Sequence, residues 1–291
     1  MTAPRDPRSV SPLAALTLTI VSVAMTYALL QASVALQSIA RGVSWDLARE
    51  RVTRDALGLA LVQAAAFALV LFGAVRVHAR DEEPLRATLG LRAVPFHTVL
   101  LALVAGAALQ FPLAELANLV HLVVPVRPEL LAHQQRMLDA SSPLVAFTAF
   151  LSFVVVAPIT EELLFRGVIL RGVRVARGGL TALALSSALF ALSHLGALSA
   201  IIYALVAGVL LGAVALRTGS TLVSIAMHAG VNAMPVLLPA RLLRIPGFNT
   251  LPIDGGSGHL SPALVIGSAA VAAAALALLS RTAPTPGEND A

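Results

Sequence analysis

Acidic, imidazole and amide side chains stand inside three apolar segments of the sequence. Glu161 and Glu162 lie in the segment APITEELLFRG, and His194 ends the next apolar run. His228 and Asn232 lie four residues apart in a third run, so they share one face of a helix. Polar groups on separate apolar helices need partners in hydrocarbon, and ionisable ones there indicate function. We therefore expect these side chains to converge on one site.

The acidic pair predicts a division of roles between two neighbouring carboxylates. Glu162 and Arg166 are at i and i+4, which allows an ion pair along one helix. Adjacent residues of a helix point about 100° apart, so the two acids are not expected to face one partner. Glu161 is then free to face a cavity as a general base. The alternative is that both acids only cap the end of their helix.

The set suits hydrolysis of a peptide bond in either of two ways. In a metal-free scheme, Glu161 with His194 polarises a water, while His228 and Asn232 donate hydrogen bonds to the oxyanion. Alternatively Glu161, His194 and His228 bind Zn²⁺, which activates the water. Asn232 is a poor zinc ligand but a good oxyanion donor. This favours the metal-free scheme without a cofactor, and zinc stays open.

Three spaced motifs, EExxxR, FxxxH and HxxxN, follow one another on successive apolar segments. Their order and separation resemble the CAAX-protease and bacteriocin-processing (CPBP, or Abi) family of membrane peptidases. The matching segments are Glu161–Arg166, Phe190–His194 and His228–Asn232, within a resemblance that covers roughly 143–240. Each motif alone is short and unspecific, whereas the ordered trio is more specific.

The resemblance implies roles for the motif residues. Glu161 and His194 would activate the hydrolytic water, and His228 and Asn232 would stabilise the oxyanion. It implies a supporting role for the remaining motif residues, which are Glu162, Arg166 and Phe190. The substrate implied is a peptide or a membrane protein. The family has been described both as metalloproteases and as glutamate-type proteases.

Composition predicts the elements that must position these groups. The chain has 291 residues, of which 58% are hydrophobic and 12% charged, and its mean hydropathy is +0.87. Soluble domains carry about 25% charged residues, and about 20 apolar residues span a bilayer as a helix. We therefore predict an all-α, polytopic transmembrane bundle with a lipid bilayer as its solvent. About eight spans are expected, near 13–37, 56–77, 94–124, 143–170, 179–196, 198–217, 220–239 and 261–280.

The spans divide the chain into a core and flanking regions. The catalytic core is expected at 143–240, after three N-terminal spans and an interfacial amphipathic helix near 128–140. The predicted regions are a tail at 1–12, spans 1–3 with the interfacial helix at 13–142, the core, a loop with the last span at 241–281, and a polar tail at 282–291. More Arg residues flank the side of the termini than the other side, which predicts cytoplasmic termini. We expect a bacterial inner (plasma) membrane protein.

Several other functions fit the sequence poorly. Nucleic-acid binding is not expected, because no basic stripe is interleaved with aromatic residues. The chain has no Cys and no HExxH segment, and Asp254 and Ser257 lie in a loop. The remaining histidines are expected near span ends or in loops, at His78, His97, His121, His133 and His259. A non-catalytic scaffold or bacteriocin-immunity protein of the same fold, and a proton-coupled transporter, stay as alternatives. Glu115 is expected either to line the cavity or to serve a helix break.

Overall fold

The computed structural model describes residues 9–78, 84–127, 130, 142–250 and 258–282. Within them the chain is helical and contains no strand, which confirms the predicted all-α class. Besides the single turn Leu85–Thr88, the helices are α1 Pro12–Arg41, α2 Trp45–Arg54, α3 Ala56–His78, α4 Phe96–Val123, α5 Pro143–Arg177, α6 Gly179–Ser193, α7 Leu198–Thr218, α8 Thr221–Leu237 and α9 Pro262–Thr282.

The apolar helices of the bundle correspond to the predicted spans. Six of these helices, α1, α3, α4, α5, α7 and α9, are long and apolar enough to cross a bilayer. The other two predicted spans are the shorter apolar helices α6 and α8. Eight spans agree with the sequence. The predicted interfacial helix near 128–140, the tails and the loop residues Asp254 and Ser257 lie largely or wholly outside the described residues.

Helix α2 is an element that the sequence analysis placed in a loop. It begins after Ser44, whose side chain accepts a hydrogen bond from the backbone N–H of Leu47. Its buried residues Ala48 and Val52 pack with Val34 of α1. Its charged side chains form exposed ion pairs with one another, Asp46 with Arg49 and Glu50 with Arg54. Because the segment is so rich in charge, the length of apolar runs did not predict this helix.

Helix α5 is longer than predicted and irregular. It spans 35 residues and contains two π-helical stretches, Phe150–Val156 and Leu163–Leu170. Between them lies the α-helical stretch Ala157–Glu162, which carries the acidic pair. Proline inside a helix removes a hydrogen bond and clashes with the preceding turn, and π-helical turns often accompany such interruptions at functional sites. Pro158, at the second position of that stretch, is the sequence feature associated with the irregularity.

Helices α4 and α8 approach each other closely at two glycines. A Cβ added at Gly106 of α4 would collide with the backbone carbonyl of Met227, and one at Gly230 of α8 with the carbonyl of Leu103. Small residues let helix backbones approach in membranes. Gly106 and Gly230 therefore allow the close contact between α4 and α8.

Glu115 anchors the loop between α8 and α9. Its carboxylate accepts a hydrogen bond from the Leu260 backbone N–H at 2.9 Å and pairs with His259 Nδ1 at 2.7 Å. Asn118, one turn later, donates to the Gly247 carbonyl at 2.7 Å. Helix α4 is continuous through Pro112, so the helix break considered for Glu115 is not present there. Glu115 thus has a structural role in fastening this loop.

Enlarging either contact glycine is expected to displace α8. Gly106→Ala and Gly230→Ala should each lower the free energy of unfolding by about 1–3 kcal/mol, because overpacking forces the backbones apart. Thermal unfolding in detergent measures the effect. Gly73→Ala is the matched control, since nothing lies within 4 Å of a Cβ added there. Equal stability of all three variants would contradict the close α4–α8 contact.

Candidate active site

A fully buried ion pair forms the base of the site. The side chains of Glu162 and Arg166 are both 0% exposed, and Arg166 Nη1 lies 2.6 Å from Glu162 Oε1. This is the pair predicted from the i, i+4 spacing. Arg166 also donates from Nη2 to the Gly208 carbonyl of α7 at 3.0 Å. A buried charge is tolerated when it is paired and hydrogen-bonded, so this contact ties α7 to α5.

His228 joins α8 to the acidic pair. Its Nδ1 lies 2.9 Å from Glu162 Oε1, and its Nε2 lies 4.0 Å from Glu161 Oε2. The expectation that Glu161 and Glu162 would not face one partner is therefore wrong. The imidazole ring presents its two nitrogens in different directions, so two carboxylates about 100° apart can each face one of them.

Phe190 packs the basic groups together. The Arg166 guanidinium carbon lies 4.4 Å from the centre of its ring, within the range of cation–π contacts. The ring centroids of His194 and His228 lie 4.7 Å and 5.8 Å away, both edge-to-face. Phe190 is 2% exposed. One buried ring of α6 thus touches both histidines and the arginine.

His194 lies just past the end of α6. Its backbone leaves the helix, and its Nδ1 lies 2.8 Å from the Phe190 carbonyl. A neutral ring that donates there carries a free lone pair on Nε2. Among the hydrogen bonds of the described residues, none joins His194 to Glu161. Its polar contacts there are within its own turn, to Phe190 and Ser193.

Asn232 donates a hydrogen bond to the Phe153 carbonyl, five residues before Pro158. The Ala157 N–H donates to Ser152 O, a π-type bond five residues back. The next π-type bond would run from the backbone N of Pro158 to the Phe153 carbonyl. Proline has no N–H, so this bond cannot form. Asn232 Nδ2 donates to this carbonyl at 2.9 Å. Asn232 therefore has a structural partner in addition to the role expected from the motif.

Gln63 of α3 is a site residue that the sequence analysis did not identify. Its Nε2 donates to Glu161 Oε1 at 2.9 Å. Glu161 therefore contacts an amide on one side and faces His228 on the other. The available sequence signal was a lone amide inside the charge-free run 56–75. Such a signal indicates a polar contact but not its partner.

The zinc alternative can be compared with the spacing of the described side chains. Within the described ranges, no group of three or more His, Asp or Glu side chains has the spacing that a metal ion needs. The set Glu161, His194 and His228 is thus not arranged around one point. Metal analysis of the purified protein tests the zinc prediction.

Breaking the buried pair is expected to destabilise the bundle strongly. Arg166→Leu should lower the free energy of unfolding by about 3–5 kcal/mol, because it leaves the Glu162 charge uncompensated. Arg54→Leu is the control, because its pair with Glu50 is more than half exposed and such pairs contribute about 0–1 kcal/mol. Thermal unfolding in detergent measures both. Similar losses for the two variants would contradict a central role for the buried pair.

Comparison with known proteins supports the resemblance seen in the motifs. Residues 143–234 match the family described as Type II CAAX prenyl endopeptidase Rce1-like. The matched segment contains all three motifs and runs from the start of α5 to near the end of α8. No curated protein and no solved structure matches the chain.

Proposed function

We propose that this chain, whose residues 143–234 match the Type II CAAX prenyl endopeptidase family, is an intramembrane endopeptidase. Its substrate would be a membrane-associated protein or peptide. The observation that carries the proposal is the largely buried Glu161 carboxylate, facing His228 beside a fully buried ion pair. A reactive carboxylate next to fixed polar groups is the arrangement that hydrolysis requires.

Glu161 acts as the general base in this proposal. It takes a proton from a water molecule, whose oxygen attacks the carbonyl carbon of the scissile peptide bond. The proton then passes to the departing amine as the C–N bond breaks, so that water adds across the bond. His194 assists in orienting the water through its free Nε2. The rings of His194 and His228 both pack against Phe190, which supports placing both histidines at one site.

His228 and Asn232 stabilise the oxyanion. His228 holds Glu162 through Nδ1 and directs Nε2 towards the side of Glu161, where an N–H on that nitrogen would donate to the oxyanion. Asn232 has a second amide N–H besides the one that binds the Phe153 carbonyl. Glu162, which is paired with Arg166, holds His228 in place.

A groove beside the site is the proposed route for the substrate. It has a volume of about 420 Å³ and adjoins the loop that follows α8. Val236, one helical turn beyond Asn232, is part of its wall. The other lining residues are Ala146, Leu237, Pro239, Arg241 and Leu242.

The molecule is an integral membrane protein. We further propose that it resides in a bacterial inner membrane with both termini cytoplasmic. The excess of Arg residues flanking that side of the spans supports this orientation.

Removing the base is expected to abolish cleavage without unfolding the protein. Glu161→Gln should lower the cleavage rate by about 100- to 10,000-fold, the usual contribution of general base catalysis. Quenched peptides anchored in detergent micelles, with and without a prenylated CAAX end, measure the rate. Glu50→Gln on α2 is the control and should cleave normally. Full cleavage by Glu161→Gln, or none by the unsubstituted protein, would favour the non-catalytic scaffold.

The two roles of Asn232 can be separated with Pro158. Asn232→Leu should lower stability by about 1–3 kcal/mol, because the partly buried Phe153 carbonyl loses its donor. Adding Pro158→Ala restores a backbone N–H that can donate to this carbonyl, so the double variant should regain stability. Cleavage should stay lost if Asn232 also serves the oxyanion. Thermal unfolding and the peptide assay together measure this, and recovered cleavage would reduce Asn232 to its structural role.

A further inference from the structure

Gln63 of α3 lies outside the matched family segment and contacts the acidic pair within it. Gln63 Nε2 lies 2.9 Å from Glu161 Oε1 and 3.4 Å from Thr160 Oγ1. Gln63 and Glu161 are both partly buried. The amide is thus held against the residue to which the mechanism assigns the base.

The orientation of the Gln63 amide follows from its neighbours. The Thr160 hydroxyl hydrogen is directed to backbone carbonyls of its own helix, Val156 O at 2.9 Å and Ala157 O at 3.1 Å. Its oxygen therefore meets Gln63 as an acceptor, and so does an ionised Glu161. Two acceptors on one side require the NH₂ end of the amide there.

This contact distinguishes the two oxygens of Glu161. Oε1 accepts from Gln63, while Oε2 faces His228 Nε2 at 4.0 Å. An ionised carboxylate accepts hydrogen bonds, and a donor that binds it favours the ionised form. Gln63 thus directs Oε2 to the site.

We propose that Gln63 is a positioning residue, which donates to Oε1 of the Glu161 carboxylate and keeps Oε2 turned towards His228. This inference rests on the proposed function of Glu161. Gln63 does not touch the reacting atoms itself; it acts through the orientation and charge of the base.

The charges around Glu161 define what a change at Gln63 can do. Among the described residues, α8 presents His228 to it, and its own helix carries Glu162 and Arg166. From α3 the facing group is the uncharged Gln63. A substitution of Gln63 therefore changes the contact on Glu161 Oε1 and removes no charged side chain from the wild-type site.

Two substitutions at this position are expected to move the pH dependence in opposite directions. Gln63→Leu removes the donor, so the acid limb of the pH–rate profile should move to higher pH. Supporting hydrogen bonds of this kind contribute about 10- to 100-fold in activity, so kcat should fall by about tenfold at neutral pH with KM little changed. Gln63→Glu places two carboxylates together, which share one proton. Its optimum should therefore move to lower pH, where the protonated Glu donates the missing hydrogen bond.

Gln110→Leu is the matched control. Gln110 is also a buried amide in a spanning helix, but it accepts a hydrogen bond from Tyr203 and lies outside the acidic pair. This variant should keep the wild-type profile. A general packing defect would lower kcat in the Gln63 variants without moving their profiles in opposite directions.

The outcomes separate this inference from the proposed function. If Glu161→Gln is inactive but Gln63→Leu keeps the wild-type profile, or both Gln63 variants shift the same way, Gln63 is not a positioning residue. If Glu161→Gln cleaves normally, the proposed function itself fails. An activity-independent readout is the infrared band of a protonated carboxyl group, assigned by its loss in Glu161→Gln. Gln63→Leu should show this band at higher pH than the unsubstituted protein, and an unmoved band would overturn the inference.

Discussion

The buried ion pair of Glu162 and Arg166 is the constraint on which the core of the bundle depends. Two charges with no exposed side-chain surface are costly unless they are paired and hydrogen-bonded. Neighbouring helices supply the partners: α7 a backbone carbonyl, α8 His228 and α6 the ring of Phe190. A bundle in lipid lacks a hydrophobic drive between helices, so such polar contacts and close packing select the arrangement. The same contacts that stabilise the core therefore bring the functional side chains together.

Pro158 has a second, backbone-level influence on the site. It stands between a π-helical stretch and the acidic pair, and the carbonyl that it cannot satisfy is bonded by Asn232. An irregularity in α5 is thus linked directly to the position of α8. Because Asn232 serves the backbone as well as the proposed chemistry, a loss of activity on its substitution does not by itself identify a catalytic role. Stability and cleavage must be measured together.

Glu161 differs from its neighbour in what surrounds it. Glu162 lies within the ion pair, whereas Glu161 is 15% exposed and contacts an amide and an imidazole nitrogen. This contrast supports one structural and one reactive carboxylate, although the partners differ from those first expected. His194 approaches the site through Phe190 rather than through a hydrogen bond to Glu161. Its participation in the proposed mechanism therefore depends on a water or substrate between them.

The sequence alone determined the membrane bundle, the approximate spans and the Glu162–Arg166 pair. The length of an apolar run and the i, i+4 spacing of two side chains can both be read from a short stretch of sequence. A segment in hydrocarbon must form a helix, and on a helix residues at i and i+4 are neighbours. The helix α2, the π-helical stretches and the partners of His228, Asn232 and Gln63 were decided by tertiary structure. These contacts join residues far apart in the chain, where the crossing of helices sets which atoms meet. The chemistry-bearing residues were thus visible in the sequence, while their pairing depended on how α3, α5 and α8 pack.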